Sequence, residues 1–244
     1  RSRGLGDVYK RQFLSSSFHL TKAAAAVSEK SMEGAAIPPI ARSVLKMNEG
    51  CRYARNEEYE TACDCFLKAL VMQENIIPTP ELEIANTCRN LGLAYYYNEQ
   101  YNEAVIYLNR ALHYYAASAD EKSQAEVIEL SEFLAYCDYY RDEEESAAKK
   151  FQKVAEMHES LNGRLSSGVA KCLRMQGKCL YYIKRYDEAW NLMNEALGIA
   201  IQIDNRKQIV ACHKQLYYLC KEFKRTMNER GDEQASTLFF RESL

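Results

Sequence analysis

The stretch CRNLGLAYYYNEQYNEAVIYLNRA, residues 88–111, contains two helical patterns separated by a short polar turn. Leu91, Ala94 and Tyr95 recur at intervals of three and four residues, the spacing of one face of an α-helix. The polar pair Asn98-Glu99 interrupts that pattern, and Tyr101 opens the next apolar pattern. The stretch therefore predicts a hairpin of two α-helices.

The same pattern recurs along the chain. A small residue that lets the two helices of a hairpin approach closely recurs at intervals of 42, 43 and 42 residues: Gly50, Gly92, Ala135 and Gly177. An alanine follows each of them 12 residues later: Ala62, Ala104, Ala147 and Ala189. A fixed register of this kind indicates a repeat protein, in which stacked neighbours bury the apolar faces that one hairpin cannot bury alone.

The repeated motif Tyr-x-x-Ala at the start of each second helix resembles the tetratricopeptide repeat (TPR) family. It occurs at Tyr59–Ala62, Tyr101–Ala104 and Tyr186–Ala189, whereas the third repeat has Glu144 in place of the tyrosine. The 42-residue spacing resembles the extended repeats of kinesin light chains and spindle-orientation adaptors. This resemblance, over roughly residues 43–225, implies an all-α fold, a right-handed TPR superhelix (α-solenoid) of four to five helix-turn-helix repeats.

The repeat frame divides the chain into three parts. Residues 1–42 are expected to be a non-native or disordered leader, in which residues 1–12 resemble translated adapter sequence and Met32 is a candidate native start. The TPR domain is expected over residues 43–230, with repeats near 43–76, 85–118, 128–161 and 170–203 and a degenerate repeat at 206–230. Residues 231–244 are expected to form a capping helix or the start of a truncated next repeat.

The architecture favours a scaffold or adaptor that binds a peptide segment or a partner helix in a concave groove lined by the first helices. Applying the frame to the first helices selects the residues expected to line this groove: Asn86, Arg89, Asn90, Tyr97, Glu132, Tyr136, Lys171, Arg174, Lys178, Tyr217 and Lys221. Tyrosine offers a large contact area with a polar tip, and the later repeats concentrate Lys and Arg. The expected partner is therefore a peptide with acidic and apolar residues.

Other interpretations remain open at this point. The recurring tyrosine pairs could pack between neighbouring hairpins, and the lysines could simply be solvated. The chain could also be a structural subunit of a large cytoskeletal or ciliary assembly, or the regulatory TPR domain of a longer protein. A structural subunit would also use its convex surfaces, whereas an adaptor would concentrate its sensitive residues on the first helices.

Charge and motif content argue against several other classes. The 32 basic and 34 acidic residues nearly cancel, so no affinity for nucleic acid or a membrane surface is expected. The four histidines are far apart, and Cys63 and Cys65 have no further ligands at zinc spacing, so neither a metal nor a cofactor is expected. Without a phosphate-binding loop or a catalytic set, the chain is not expected to be an enzyme. An odd count of nine cysteines favours the reducing cytoplasm.

Overall fold

The computed structural model describes residues 38–117 and 121–229. Over these ranges the regular secondary structure is entirely helical, which confirms the all-α prediction. Nine helices follow one another along the described chain: α1 (Pro39–Arg55), α2 (Tyr59–Glu74), α3 (Glu81–Tyr97), α4 (Tyr101–Ala116), α5 (Glu121–Tyr140), α6 (Glu144–Asn162), α7 (Ser167–Tyr182), α8 (Tyr186–Gln202) and α9 (Arg206–Glu229).

Most neighbouring helices of the described chain pack against one another, and three pairs form helical hairpins. The pairs α1–α2, α3–α4 and α7–α8 each form one hairpin, and α2 packs on α3, α6 on α7 and α8 on α9. The first helices also meet directly, because α1 contacts α3 and α7 contacts α9. This is the arrangement in which each hairpin buries the apolar stripe of its neighbours.

The hairpin turns share one backbone geometry. A non-glycine residue with positive φ follows the first helix at the same position of each repeat: Glu57 (φ 65°), Glu99 (φ 64°), Asp142 (φ 62°) and Lys184 (φ 65°). In the second repeat the amide of Gln100 donates to the Tyr95 carbonyl at 2.9 Å, and that of Glu99 donates to Tyr96 at 3.1 Å. These are the two hydrogen bonds of a Schellman motif, which satisfies the last carbonyls of the helix.

Glycine allows the closest approach of the two helices in a hairpin. A Cβ atom on Gly50 would lie 2.7 Å from Cε1 of Phe66, and one on Gly92 would lie 2.8 Å from Cδ2 of Leu108. Both distances are shorter than carbon atoms tolerate, so these positions accept no side chain in this packing. Gly50 and Gly92 therefore act as predicted.

The chain divides into two compact units, Arg1–Cys137 and Asp138–Leu244. Residues 39–42, which the sequence assigns to the leader, belong to the first turn of α1. The rest of the predicted leader and the predicted closing element at 231–244 lie outside the described residues. Among the helices that the structure describes, none combines the length and the apolar character that a membrane crossing requires.

Candidate functional site

The predicted groove residues lie on the first helices α3, α5, α7 and α9, but they differ in exposure. Lys221 and Tyr217 are exposed, the latter with 65% of its surface in contact with solvent. Four others are half-buried: Asn86, Tyr136, Lys171 and Lys178. The expected exposure is wrong for the remaining five, which are buried: Arg89, Asn90, Tyr97, Glu132 and Arg174. Their role in binding stays a prediction.

Arg89 is buried because it joins two first helices of the first unit. Its Nε lies 2.7 Å from Oε2 of Glu126, and its Nη2 lies 2.5 Å from Oε2 of Glu129, both on α5. Only 1% of the arginine is exposed, so its charge is balanced inside the protein. Loss of one partner would leave the others buried without compensation. Reversal of Arg89 would therefore test stability as well as binding.

The other candidates on α3 also contact helices of their own unit. Asn90 donates from Nδ2 to Sγ of Cys51 on α1 at 3.5 Å. Asn86 accepts a hydrogen bond of 2.9 Å from the hydroxyl of Tyr115 on α4. The ring of Tyr97 stacks on that of Tyr59 with 5.7 Å between centroids. For Tyr97, which belongs to one of the recurring tyrosine pairs, the packing interpretation that the sequence left open describes the observed contact. The hydrogen bonds of Asn86 and Asn90 within the unit were not predicted.

Arg174 on α7 makes a contact like that of Arg89. Its Nε donates to Oε1 of Gln208 on α9 at 3.0 Å, and 7% of the residue is exposed. Arg89 and Arg174 occupy the same position of their repeats, and each bonds to a side chain of the following first helix. In these two helices, the repeat position that was predicted to face solvent is therefore used for contact between first helices.

The second unit exposes lysine and tyrosine side chains on α7 and α9. Tyr182 is 40% exposed, and Tyr217 and Tyr218 are 65% and 47% exposed. Lys178 places Nζ 4.8 Å from the centroid of the Tyr139 ring, a cation–π contact. We name these residues the basic tyrosine surface: Lys171, Lys178, Tyr182, Lys214, Tyr217, Tyr218 and Lys221. Tyr182 and Tyr218 are absent from the predicted set, although Tyr182 belongs to a recurring tyrosine pair that could have indicated it.

The charge of this surface is positive. Helix α7 contains Lys171, Arg174 and Lys178 and no acidic residue. Residues 206–225 of α9 contain six basic residues and one acidic residue, Glu222. That carboxylate lies 2.8 Å from Nη2 of Arg225. Lysine-rich surfaces attract acidic partners over about a Debye length.

The buried thiols have the properties of structural cysteines. Desolvation raises the pKa of Cys51 and of Cys63 to about 12, and that of Cys88 to about 11. Thiols with a raised pKa are poor nucleophiles at neutral pH. Among the described residues, no group of three or more His, Cys, Asp or Glu side chains is arranged to hold a metal ion.

One curated protein of similar sequence is Protein HGV2 of Halocynthia roretzi. It is 25% identical to the chain over 123 residues, which are 49% of the chain and 22% of HGV2. The chain thus spans about a fifth of the length of this relative. No family model matches the sequence.

The fold is similar to several solved structures. The apo form of RapI has a TM-score of 0.65 and 17% identity over 99% of this chain and 65% of RapI. The TPR-like repeats of a putative kinesin light chain from Podosopora anserina have a TM-score of 0.59 and 14% identity. This similarity covers 84% of this chain and 93% of that chain.

The Rap conjugation gene regulator of the plasmid pLS20, in complex with the Phr* peptide, gives a TM-score of 0.54 and 16% identity. The similarity covers 99% of this chain and 63% of that regulator, so the chain spans about two thirds of the Rap structures. At these identities the likeness concerns the fold. The repeat motif, the stacked helical hairpins and these neighbours together show that the chain has a TPR-like fold of helical repeats.

Proposed function

We propose that this chain is a protein-interaction scaffold or adaptor that binds an acidic segment of another protein on the basic tyrosine surface. The observation that carries the proposal is the exposure of tyrosine and lysine side chains on α7 and α9, where the acidic residue Glu222 is already paired with Arg225. A TPR-like fold supports binding as the general activity. The Rap regulator of pLS20, which has this fold, is known in complex with a peptide.

The chemistry of the surface suits a segment with both acidic and apolar residues. An exposed ion pair contributes only about 0.2–1 kcal/mol, so lysines alone would hold a partner weakly. Tyr182, Tyr217 and Tyr218 add apolar contact area and hydroxyl groups that can bond to the partner. In this proposal Lys171, Lys178, Tyr217 and Lys221 contact the partner directly. We also propose a binding role for Asn86 and Tyr136, the half-buried groove candidates of the first unit.

The proposal includes no catalytic step, no metal and no cofactor. It places the chain in the cytoplasm, where the free thiols found at all nine cysteines would be maintained. It also predicts no binding to nucleic acid or membranes, since the net charge is −2.

A second function, a structural subunit of a larger assembly, is favoured by the apolar surface of the first unit. Val71 and Met72 on α2 are 58% and 41% exposed, and Ile77 in the following loop is 95% exposed. Exposed apolar patches of this kind occur at protein interfaces. This alternative predicts that the partner is retained when the basic tyrosine surface is reversed in charge.

The test is affinity capture from cell lysate with the full chain and two charge-reversed variants. Lys214→Glu/Lys221→Glu alters the proposed site, whereas Lys149→Glu/Lys153→Glu makes the same change of charge at exposed positions of α6. We expect the first variant to lose the partners and the second to retain them, with helicity by circular dichroism unchanged in both. Retention of all partners by the first variant would assign binding to another surface.

A further inference from the structure

Helix α9 carries a stripe of exposed residues at helical spacing. Its members recur at alternating intervals of three and four residues, and we name them the α9 stripe: Lys207, Val210, Lys214, Tyr217, Lys221 and Lys224. Val210 and Tyr217 are 67% and 65% exposed. Alternation of three and four over five turns keeps all six side chains on one side of α9, where they form a straight line of contacts for a second helix. An extended peptide repeats every two residues and would not match it.

The earlier repeats show what packs on this side of a first helix. In the degenerate last repeat, Tyr217 lies 43 residues after Arg174, which is one of the spacings of the repeat frame. Arg89 contacts the next first helix through Glu126 and Glu129. Arg174 contacts the next first helix through Gln208. In both cases the occupant is therefore an α-helix, and in the first case it presents two carboxylates three residues apart.

We propose that the α9 stripe binds an amphipathic α-helix of another polypeptide, with glutamate or aspartate residues three or four positions apart beside apolar ones. The inference rests on the proposed function and specifies the structure of the partner segment. Carboxylates of the partner helix pair with Lys214 and Lys221, as Glu126 and Glu129 pair with Arg89, and its apolar residues pack on Val210 and Tyr217. A second copy of this chain is disfavoured, because its own α9 stripe carries the same positive charge.

The probes are three labelled synthetic peptides of about 20 residues, long enough for about 30 Å of helix. The first is a Leu/Ala/Glu amphipathic helix with glutamates at three- and four-residue spacing. The second has the same charge and a central proline that interrupts the helix. The third carries lysine in place of glutamate. Fluorescence anisotropy with the full chain measures the affinity of each peptide at low and at physiological salt.

We expect the glutamate helix to bind and the proline-interrupted peptide to bind at least about tenfold more weakly, with no binding of the lysine peptide. Lys214→Glu/Lys221→Glu should weaken binding of the glutamate helix by about tenfold or more, and Tyr217→Ala should weaken this binding by a smaller factor. The matched variant Lys149→Glu/Lys153→Glu should bind as the unmodified chain does. Higher salt should reduce binding of the glutamate helix.

The possible failures separate the two proposals. Equal affinity for the helical and the proline-interrupted acidic peptides would overturn the helix inference and leave the acidic-segment proposal in place. Absence of binding by the glutamate helix, while lysate capture still depends on Lys214 and Lys221, would have the same meaning.

Binding of the glutamate helix that appears only in the variant Phe239→Asp/Phe240→Asp would show that the chain's own residues 231–244 occupy the α9 stripe. A dimer that Lys214→Glu/Lys221→Glu dissociates would show a second copy there. Either result would overturn the inference.

Discussion

Gln73, near the end of α2, is a fully buried side chain whose amide has no hydrogen-bond partner among the described residues. The equivalent position in α4 holds Tyr115, whose hydroxyl donates to Asn86. In the first repeat the residue equivalent to Asn86 is Val44, whose side chain offers no polar atom with which Gln73 could form a hydrogen bond. A buried amide without a partner costs about 1–3 kcal/mol relative to a satisfied or apolar side chain.

We therefore predict that Gln73→Leu raises the free energy of unfolding by about 1 kcal/mol or more, measured by urea denaturation. Gln124→Leu, at an exposed position of α5, is the matched control and should change stability by less than about 0.5 kcal/mol. Destabilisation by Gln73→Leu would mean that the amide is satisfied in solution, for example by a buried water molecule.

Arg89 shows what sequence patterns leave undetermined at the scale of a single residue. Helical periodicity placed it on the side of α3 away from the apolar stripe, and a charged residue there is ordinarily exposed. The side is covered because α5 supplies Glu126 and Glu129, which lie 37 and 40 residues further along the chain. Their pairing with Arg89 depends on the angle and offset between repeats, which the spacing of the motifs does not contain.

At the scale of elements, the hairpin turn of the second repeat has a conformation that glycine adopts at lower cost. Glu99 has a φ of 64° at the position after the helix cap where glycine is strongly preferred. A non-glycine residue in the left-handed region costs roughly 1 kcal/mol. We predict that Glu99→Gly raises the free energy of unfolding by up to about 1 kcal/mol, measured by urea denaturation.

Two comparisons make this prediction specific to the turn. Glu99→Val should destabilise the chain, because a branched side chain at Cβ is least compatible with positive φ. Glu103→Gly, at an exposed position inside α4, should destabilise it by about 1 kcal/mol through the low helix propensity of glycine. Stabilisation by both glycine substitutions would indicate an effect of lost negative charge rather than of turn geometry.

The hairpins themselves could be predicted, because their determinants are local and repeated. Asn98-Glu99 and the equivalent polar pairs marked the turns, and the motif residues Tyr101 and Ala104 marked the start of a second helix. Gly92 marked the contact with the helix that follows. Each of these signals acts within about 20 residues of sequence, so the 42-residue register was sufficient to find them.

At the scale of the whole molecule, only some of the predicted groove residues are exposed. The exposed members lie on α9, the final helix of the described chain. No helix of a following repeat is described that would cover the α9 stripe. Lys221 and Tyr217 are exposed there, whereas Arg89 and Arg174 at earlier positions are covered. The sequence assigned the same environment to every repeat. The difference arises from the place of each repeat in the stack.

The buried thiols give the whole chain a predicted sensitivity to alkaline pH. Cys51, Cys63 and Cys88 have an ordinary pKa of 9.0, and burial raises the pKa to about 11–12 in the folded state. Above pH 9 the unfolded chain therefore releases protons that the folded chain retains, so stability falls as pH rises from about 9 to about 12. At pH 10 each thiol should lower the free energy of unfolding by about 1.4 kcal/mol.

Urea denaturation at pH 7 and pH 10 measures this loss, and a Cys51→Ala/Cys63→Ala/Cys88→Ala variant isolates it. The variant should be less stable at pH 7, because each substitution removes buried sulfur and leaves a small cavity. Its stability should nevertheless fall less between pH 7 and pH 10, since three of the titrating groups are gone. An equal fall in both proteins would assign the alkaline sensitivity to other groups, such as Tyr59 and Tyr95, whose pKa burial also raises to about 12.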